Sequence, residues 1–209
     1  MRIHSVNQNG FTLIEVLIAF IILSVGLLAI VSLQATSKQY THQAMQRSLA
    51  VSYAESIIER IRANPAALLT YTGAGTIGGG TINAEPNPNC VNVNCTSAQL
   101  ATNDLYVFEQ KMDGAAATVT EPDASITNAT GLIGPNMCMN FAPRGATATG
   151  PALVRTGFLT VRIQWTGLQS ISDAVTVDGT NCDPNVAANS DPFRRQIVIN
   201  TYIVDETEL

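Results

Sequence analysis

A glycine and a glutamate near the start of the chain have the types and spacing for chemistry. Gly10 directly precedes Phe11 and an apolar run, FTLIEVLIAFIILSVGLLAIVSL, whose one charge is Glu15. A residue without a side chain lets a protease bind the backbone closely, so the Gly10–Phe11 bond is a candidate cleavage site. An ordinary secretory signal is cut after its apolar run, whereas this cut would keep the run and remove residues 1–10.

Glu15 needs a cation if the run lies in a membrane. A carboxylate in an apolar membrane segment costs roughly 2.5–3.5 kcal/mol on insertion scales. No Lys or Arg lies between Phe11 and Lys38, so an N-terminal amine, its own or a neighbour's, is the candidate partner. A neighbour's amine fits only if the two helices are offset by about one turn. Glu15 would then register helix packing; alternatively it lies in the headgroup region of a single-pass anchor, near the helix N-terminus.

A long helix must carry these residues. Residues 11–33 would span roughly 35 Å as a helix, enough for the core of a bilayer. The pattern beyond is amphipathic, with Leu49, Tyr53, Ile57 and Ile61 every four residues, and Asn64-Pro65 ends it. We therefore predict a leader at 1–10, a helix at 11–64 with its membrane part at 11–33, and a globular domain at 65–209.

The globular domain has the pattern of an α+β fold. Thr96 and Gln99 form a capping pattern before a second helix of about residues 97–112, with an apolar stripe. The stripe is Leu100, Leu105, Phe108 and Met112. Residues 73–89 contain five glycines and two prolines, which predicts a surface loop with room for a short hairpin.

Three later segments predict an antiparallel sheet with one face on the helix. They are Asn136–Phe141, Gly157–Trp165 and Gln196–Val204. In the second segment Leu159, Val161, Ile163 and Trp165 face one way, and Phe158, Thr160, Arg162 and Gln164 face the other.

The four cysteines follow the apolar run, on the side that we place outside the cytoplasm, where disulfides persist. Four cysteines allow three pairings, and we favour Cys90–Cys95 and Cys138–Cys182. A zinc site is the weaker alternative, because no second close cysteine pair or histidine pair follows.

Other chemistry has little support in the sequence. The net charge of −5 argues against a nucleic-acid surface. Arg194-Arg195 is either a small basic patch or, as we prefer, a charge pair that keeps a strand edge soluble. Asp173, Asp178 and Asp183 lack the spacing of a calcium loop. We find no catalytic pair, phosphate loop or metal cluster, and we predict no enzyme activity, cofactor or metal.

Gly10 followed by FTLIEVLIA resembles the class III signal of type IV pilins and pseudopilins. The resemblance implies cleavage by prepilin peptidase between Gly10 and Phe11, N-methylation of Phe11, and subunit docking through Glu15. Asn9 departs from the pattern, because many relatives have Lys or Arg before the glycine.

Three further segments resemble the PilV-type minor pilins, also called type IV pilus modification proteins. They are IIERIRANP at 57–65, the CTSAQLA segment from Cys95 with Asp104-Leu105, and LTVRIQW at 159–165. The resemblance implies a pilin-like fold and a minor pilin that primes pilus assembly in a tip complex. It implies an inner-membrane precursor with a periplasmic domain that later joins the fibre. The implied partners are other pilins, prepilin peptidase and a tip adhesin, without nucleic acid.

Three alternatives stay open from the sequence. A pseudopilin of a type II secretion system would have the same N-terminus, and a DNA-uptake pilin would use a basic patch. An enzyme on a membrane anchor ranks lowest.

Overall fold

The structure, a computed structural model, describes residues 10, 12–115, 118–120, 126–128, 130–145, 153–170 and 191–208. The chain divides into two compact units, Met1–His42 and Gln43–Leu209. The fold is α+β, with a long N-terminal apolar helix followed by a three-stranded antiparallel sheet, as predicted.

The first helix, α1, runs from Leu13 to Ala63. It is the one helix in the described part of the chain that is long and apolar enough to cross a membrane. In the part of α1 that belongs to the first unit, the large apolar side chains from Leu13 to Leu33 are all exposed, by 45% to 84%. Hydroxyl groups in this unit are satisfied within the helix, since Ser24 Oγ donates to the Phe20 carbonyl. None of the described residues of this unit covers this surface.

The part of α1 in the second unit has a buried face. Ala50, Ala54, Ile57, Ile58 and Ile61 are at most 4% exposed. Each isoleucine buried in this way contributes roughly 1.5–3 kcal/mol relative to an exposed one. The spacing confirms the predicted amphipathic pattern. The polar Gln46 is also buried, and its amide donates to Gly131 O and accepts from Ile133 N.

Two short helical segments and one longer helix follow. A 3₁₀ turn at Pro65–Ala67 leads into α2 at Leu68–Thr72, and α3 spans Ser97–Met112. The predicted capping box is present, with Gln99 N donating to Thr96 Oγ1 and Thr96 N donating to Gln99 Oε1. The buried stripe of α3 begins at Ala101, since Leu100 is 38% exposed.

The main sheet has the order β3-β4-β5 and is antiparallel throughout. Its strands are β3 at Asn136–Arg144, β4 at Leu153–Thr166 and β5 at Arg194–Ile203. A separate two-stranded sheet pairs β1, Thr118–Thr120, with β2, Ile126–Asn128.

One face of the main sheet lies in the core, as the alternation predicted. Leu159, Val161, Ile163 and Trp165 are at most 4% exposed. We call the opposite face the outer face, and part of it is also buried. Phe158 is 63% exposed there, but Arg162 and Gln164 are 5% and 3% exposed. Gln164 Nε2 donates to Gln196 Oε1 across the sheet, so period-two alternation alone did not predict burial on this face.

Residues 205–208 contact the start of β4 through an ion pair and hydrogen bonds. Arg155 Nε lies 2.6 Å from Asp205 Oδ2, and the Arg155 N–H donates to the Glu208 carboxylate. The Thr207 hydroxyl and N–H donate to Asp205, and these bonds, followed by the charge of Arg155, hold the pKa of Asp205 below its ordinary value. The contacts of Asp205 with Arg155 and Thr207 therefore become stronger as the Asp205 carboxyl ionises.

A buried carboxylate organises the glycine-rich loop. Glu109 is fully buried, and its oxygens accept from Gly78 N, Thr81 N, Thr81 Oγ1 and Ile82 N at 2.6–2.9 Å. Gly78 has φ +123°, and a Cβ there would lie 2.3 Å from Pro135 O, so only glycine fits.

The loop does not contain the hairpin for which the sequence left room. Residues 73–89 are all described, and none of them is in a strand. Ile77 instead forms an isolated bridge with Met137 at the outer edge of β3. The loop uses the backbone donors of its glycines for carboxylates of α3, so they are not available for a hairpin ladder.

Glu109→Gln is expected to destabilise the second unit by about 3 kcal/mol, because a buried amide donor would face amide donors. Urea unfolding followed by Trp165 fluorescence measures this, since Trp165 is the single tryptophan and is buried. The control is Glu55→Gln at an exposed position of α1. Equal stability of both variants would contradict the role of Glu109.

Candidate functional site

The N-terminal site comprises Gly10 and Glu15, and both of these described residues are exposed. Gly10 is exposed, and a Cβ built on it meets nothing within 4 Å. Phe11 lies outside the described residues. Glu15 lies in the first turn of α1, where its N–H donates to the Thr12 carbonyl at 3.1 Å. Cleavage, methylation and docking at these residues stay predictions.

The Glu15 carboxylate is exposed among apolar neighbours. Val16, Ala19, Phe20 and Leu23 lie beside it on α1. In the described part of the chain it forms no ion pair, and the first basic residue of the helix is Lys38. At 1.5 Å per residue, Lys38 lies roughly 35 Å further along the helix. A cation for Glu15 must therefore come from the N-terminus or from another chain.

The C-terminal end of α1 is the second candidate site, and we call it the helix junction. It is the RIRANP segment, residues 60–65, with its partners on α2, α3 and β5. Arg60 forms an ion pair with Asp104 Oδ1, and Tyr71 donates its hydroxyl proton to Asp104 Oδ2 at 2.6 Å. Asp104 thus binds α1, α2 and α3 together.

The other residues of this segment extend the junction. Asn64 Nδ2 donates to Ser97 O at 2.8 Å, in the first turn of α3. Arg62 Nη2 donates to Thr201 Oγ1 on β5 at 2.6 Å, and its Nη1 binds Glu59. Pro65 begins the 3₁₀ turn, because its fixed φ suits a first helical position. The resemblance to a minor-pilin helix end therefore falls on residues that position the globular fold.

Contacts along α1 also fix the direction of α3. Tyr53 Oη donates to Lys111 O at 3.0 Å near the end of α3, while Arg60 and Asn64 reach Asp104 and Ser97. As the residue numbers on α1 rise, the residue numbers of their partners on α3 fall, so the two helices are antiparallel. Tyr53 and Arg60 are seven residues apart, as are Asp104 and Lys111, so each pair lies on one side of its helix.

Sequence reasoning missed Asp104, Tyr71 and Glu109 as structural centres. A signal for Glu109 existed, because it lies four residues after Leu105 and three before Met112, on the predicted apolar stripe. An acid in such a stripe needs buried donors. Nothing in the sequence indicated the partner of Asp104, since Arg60 and Tyr71 are brought to it by the fold.

The cysteines are partly located. Cys90 and Cys95 form a disulfide with a Cα–Cα distance of 5.7 Å, directly before the cap of α3. Cys138 is also disulfide-bonded. Cys182, its predicted partner, lies outside the described residues, so this second pairing stays a prediction.

The remaining candidates have these positions. Arg194 Nη1 donates to Gly134 O, and the Arg195 guanidinium donates to Gln169 O. Both arginines lie at the start of β5, and both bind backbone carbonyls elsewhere in the fold. Asp173, Asp178 and Asp183 lie outside the described residues. Trp165 is a core residue, as predicted.

Two family models match the chain. Residues 6–31 match the prokaryotic N-terminal methylation motif, and residues 32–106 match the family described as type IV pilin Tt1218. No curated protein and no solved structure matches the chain. The two family matches support a type IV pilin with a prepilin signal, and they imply contact with other pilins and with prepilin peptidase. The second match includes the junction residues Arg60, Tyr71 and Asp104.

The junction predicts a response to alkaline pH. Burial and then the hydrogen bond to Asp104 raise the pKa of Tyr71 well above its ordinary value of 10. Below pH 10 the folded and unfolded chains both keep this proton, and the contribution to stability is complete. Above pH 10 only the folded chain keeps it, so the free energy of unfolding falls as pH rises.

Tyr71→Phe is expected to make the fall in stability between pH 10 and 12 less steep, and to cost about 1–2 kcal/mol at pH 7 through the lost hydrogen bond. Urea unfolding at a series of pH values measures both effects. Tyr40→Phe, at an exposed position, is the control. A pH dependence unchanged by Tyr71→Phe would contradict the assignment.

Proposed function

We propose that the chain is a PilV-type minor pilin that is cleaved at Gly10–Phe11 and then incorporated in a type IV pilus. One observation carries the proposal, namely the exposed apolar surface of α1 with Glu15 as its one unpartnered charge in the described residues. Such a surface needs lipid before assembly and like helices after it. The match to the N-terminal methylation motif supports the processing step.

In this proposal the subunit begins as a single-pass inner-membrane protein with its globular unit in the periplasm. It then helps to prime assembly within a minor-pilin complex at the fibre tip, where a large adhesin is a further proposed partner. The match to a type IV pilin family favours the pilus over a type II secretion system. The carbonyl contacts of Arg194 and Arg195 favour a structural role for this pair over DNA contact.

The mechanism links processing to docking through one charge. Cleavage frees the amine of Phe11, which then stands near the bilayer surface as the nearest cation to the carboxylates of adjacent helices. Pairing with Glu15 of a neighbour offsets the desolvation of both groups, which neither overcomes alone in an apolar environment. Because the pair forms only at one axial offset, it selects the staggered packing of a filament.

Protein isolated from a pilus fraction is expected to begin at Phe11 and to carry one added methyl group. Intact-mass measurement checks this, and the same chain made in cells without prepilin peptidase is the control, with residues 1–10 retained. An uncleaved chain in assembled fibres would rule out the processing step.

Glu15→Ala is expected to leave membrane insertion and cleavage intact but to reduce incorporation into pili at least about tenfold, because docking loses its charge pair. Immunoblots of sheared pili against membrane fractions give the ratio. Glu55→Ala changes an exposed glutamate in the other unit of the same helix and should incorporate normally. Equal incorporation of the two variants would show that Glu15 does not register the helices.

A further inference from the structure

Backbone N–H and C=O groups alternate between the two sides of a strand, and we call this alternation the hydrogen-bond parity. It identifies an edge of the main sheet that has no partner strand in the described part of the chain. Ile77 and Met137 exchange both backbone hydrogen bonds, at 2.7 and 2.9 Å, so the polar groups of Met137 point away from β4. Groups alternate along a strand, so the even-numbered residues of β3 face β4. The register pairs Cys138 with Arg162, so the even-numbered residues of β4 face β3 and the odd-numbered ones face β5.

Two backbone hydrogen bonds at the end of β4 agree with this parity. Thr166 N donates to Ile133 O on the β3 side, and Gly167 N donates to Phe193 O on the β5 side. Because Val161 pairs with Ile199, the odd-numbered residues of β5 bond to β4. The even-numbered residues of β5 therefore point their N–H and C=O groups away from the sheet.

No described residue protects this edge. In the described part of the chain, the outward backbone groups of Gln196, Val198, Asn200 and Tyr202 have no hydrogen-bond partner. No charged residue and no proline lies between Arg195 and Asp205. Proteins normally protect such an edge with a charge, a proline or a covering segment, because it otherwise pairs with another strand.

We infer that the β5 edge binds the β5 edge of a second copy of this chain, antiparallel, with Asn200 opposite Asn200. This arrangement gives the outward backbone groups of both copies partners and joins two three-stranded sheets into one. It is an interaction between globular units, separate from the helix packing of the proposed pilus.

Side-chain complementarity selects this register. It places Val198 opposite Tyr202 of the second copy, a β-branched and aromatic pair of the kind that stabilises sheets.

Neighbouring registers lose this pair. A shift of two residues that keeps the hydrogen-bond parity sets Val198 opposite Asn200. The opposite shift sets Val198 opposite Val204 and Asn200 opposite Tyr202. Of these three registers, only the one centred on Asn200 sets Val198 opposite an aromatic residue and Asn200 opposite a second amide.

A cysteine at the symmetry centre tests the register. Opposed residues in a hydrogen-bonded pair have Cα atoms about 5.5 Å apart, which suits a disulfide. Full-length Asn200→Cys in detergent micelles should therefore give a covalent dimer on mild oxidation, seen on a non-reducing gel. The control is Asn140→Cys, an exposed position on β3 away from this edge. Equal dimer from both variants, or none from Asn200→Cys, overturns the inference.

A proline at the same position tests the hydrogen bonds. Asn200→Pro removes the outward N–H but no bond to β4, as proline permits at a strand edge. Asn200→Ala removes the side chain alone and serves as the control. Analytical ultracentrifugation should show a dimer dissociation constant at least about tenfold higher for Pro than for Ala, since two symmetry-related bonds are lost.

The remaining outcomes are also decisive. Equal dissociation constants for Pro and Ala, or a wild-type chain without dimers, would overturn the pairing. If far-UV circular dichroism shows that the Pro variant is unfolded, the cysteine comparison decides alone. Crosslinking of Asn200→Cys in cells to a different protein, without self-dimer, would assign the edge to another subunit and overturn the two-copy pairing.

Discussion

Asp104 is the residue on which the arrangement of the second unit depends. Its two oxygens are held by Arg60 from α1 and by Tyr71 from α2, while the residue itself belongs to α3. A carboxylate that is 8% exposed needs both partners, because burial without them leaves an unpaired charge. The observed placement of the three helices supplies both partners. That placement also fixes the apolar face of α1 against α3 and, through Arg62, against β5.

Three carboxylates of this chain differ in the donors that the described residues offer them. Glu109 is surrounded by backbone and hydroxyl donors of its own loop, and Asp104 by side chains of its own unit. Glu15 has no such donors in the described residues. The first two therefore stabilise a single chain. The third is left for a group that processing or another subunit supplies, so we attach the proposed assembly role to it.

The sequence predicted what depends on local pattern. The long helix, the capped α3 and the three sheet strands follow from apolar spacing, a capping box and alternation, and the structure confirms them. It did not predict what depends on distant partners. Burial of Arg162 and Gln164, the Ile77 bridge and the partners of Asp104 arise from tertiary contacts. The candidate site at Gly10 and Glu15 could be proposed from the sequence, because a cleavage signal and a lone charge in an apolar run are local features, and it stays a prediction.

The position of the two family matches along the chain has a physical explanation. The two matched ranges together cover residues 6–106, which include α1, the helix junction and most of α3. The main sheet, from Asn136 to Ile203, lies outside both. In the proposed filament, helix packing constrains the first part, because every subunit presents the same helix surface to its neighbours. The sheet must only cover one face of α1, so this constraint leaves its outer face and its β5 edge free to differ between subunits. Features that set the proposed minor pilin apart are therefore to be sought in the sheet, and the β5 edge is one of them.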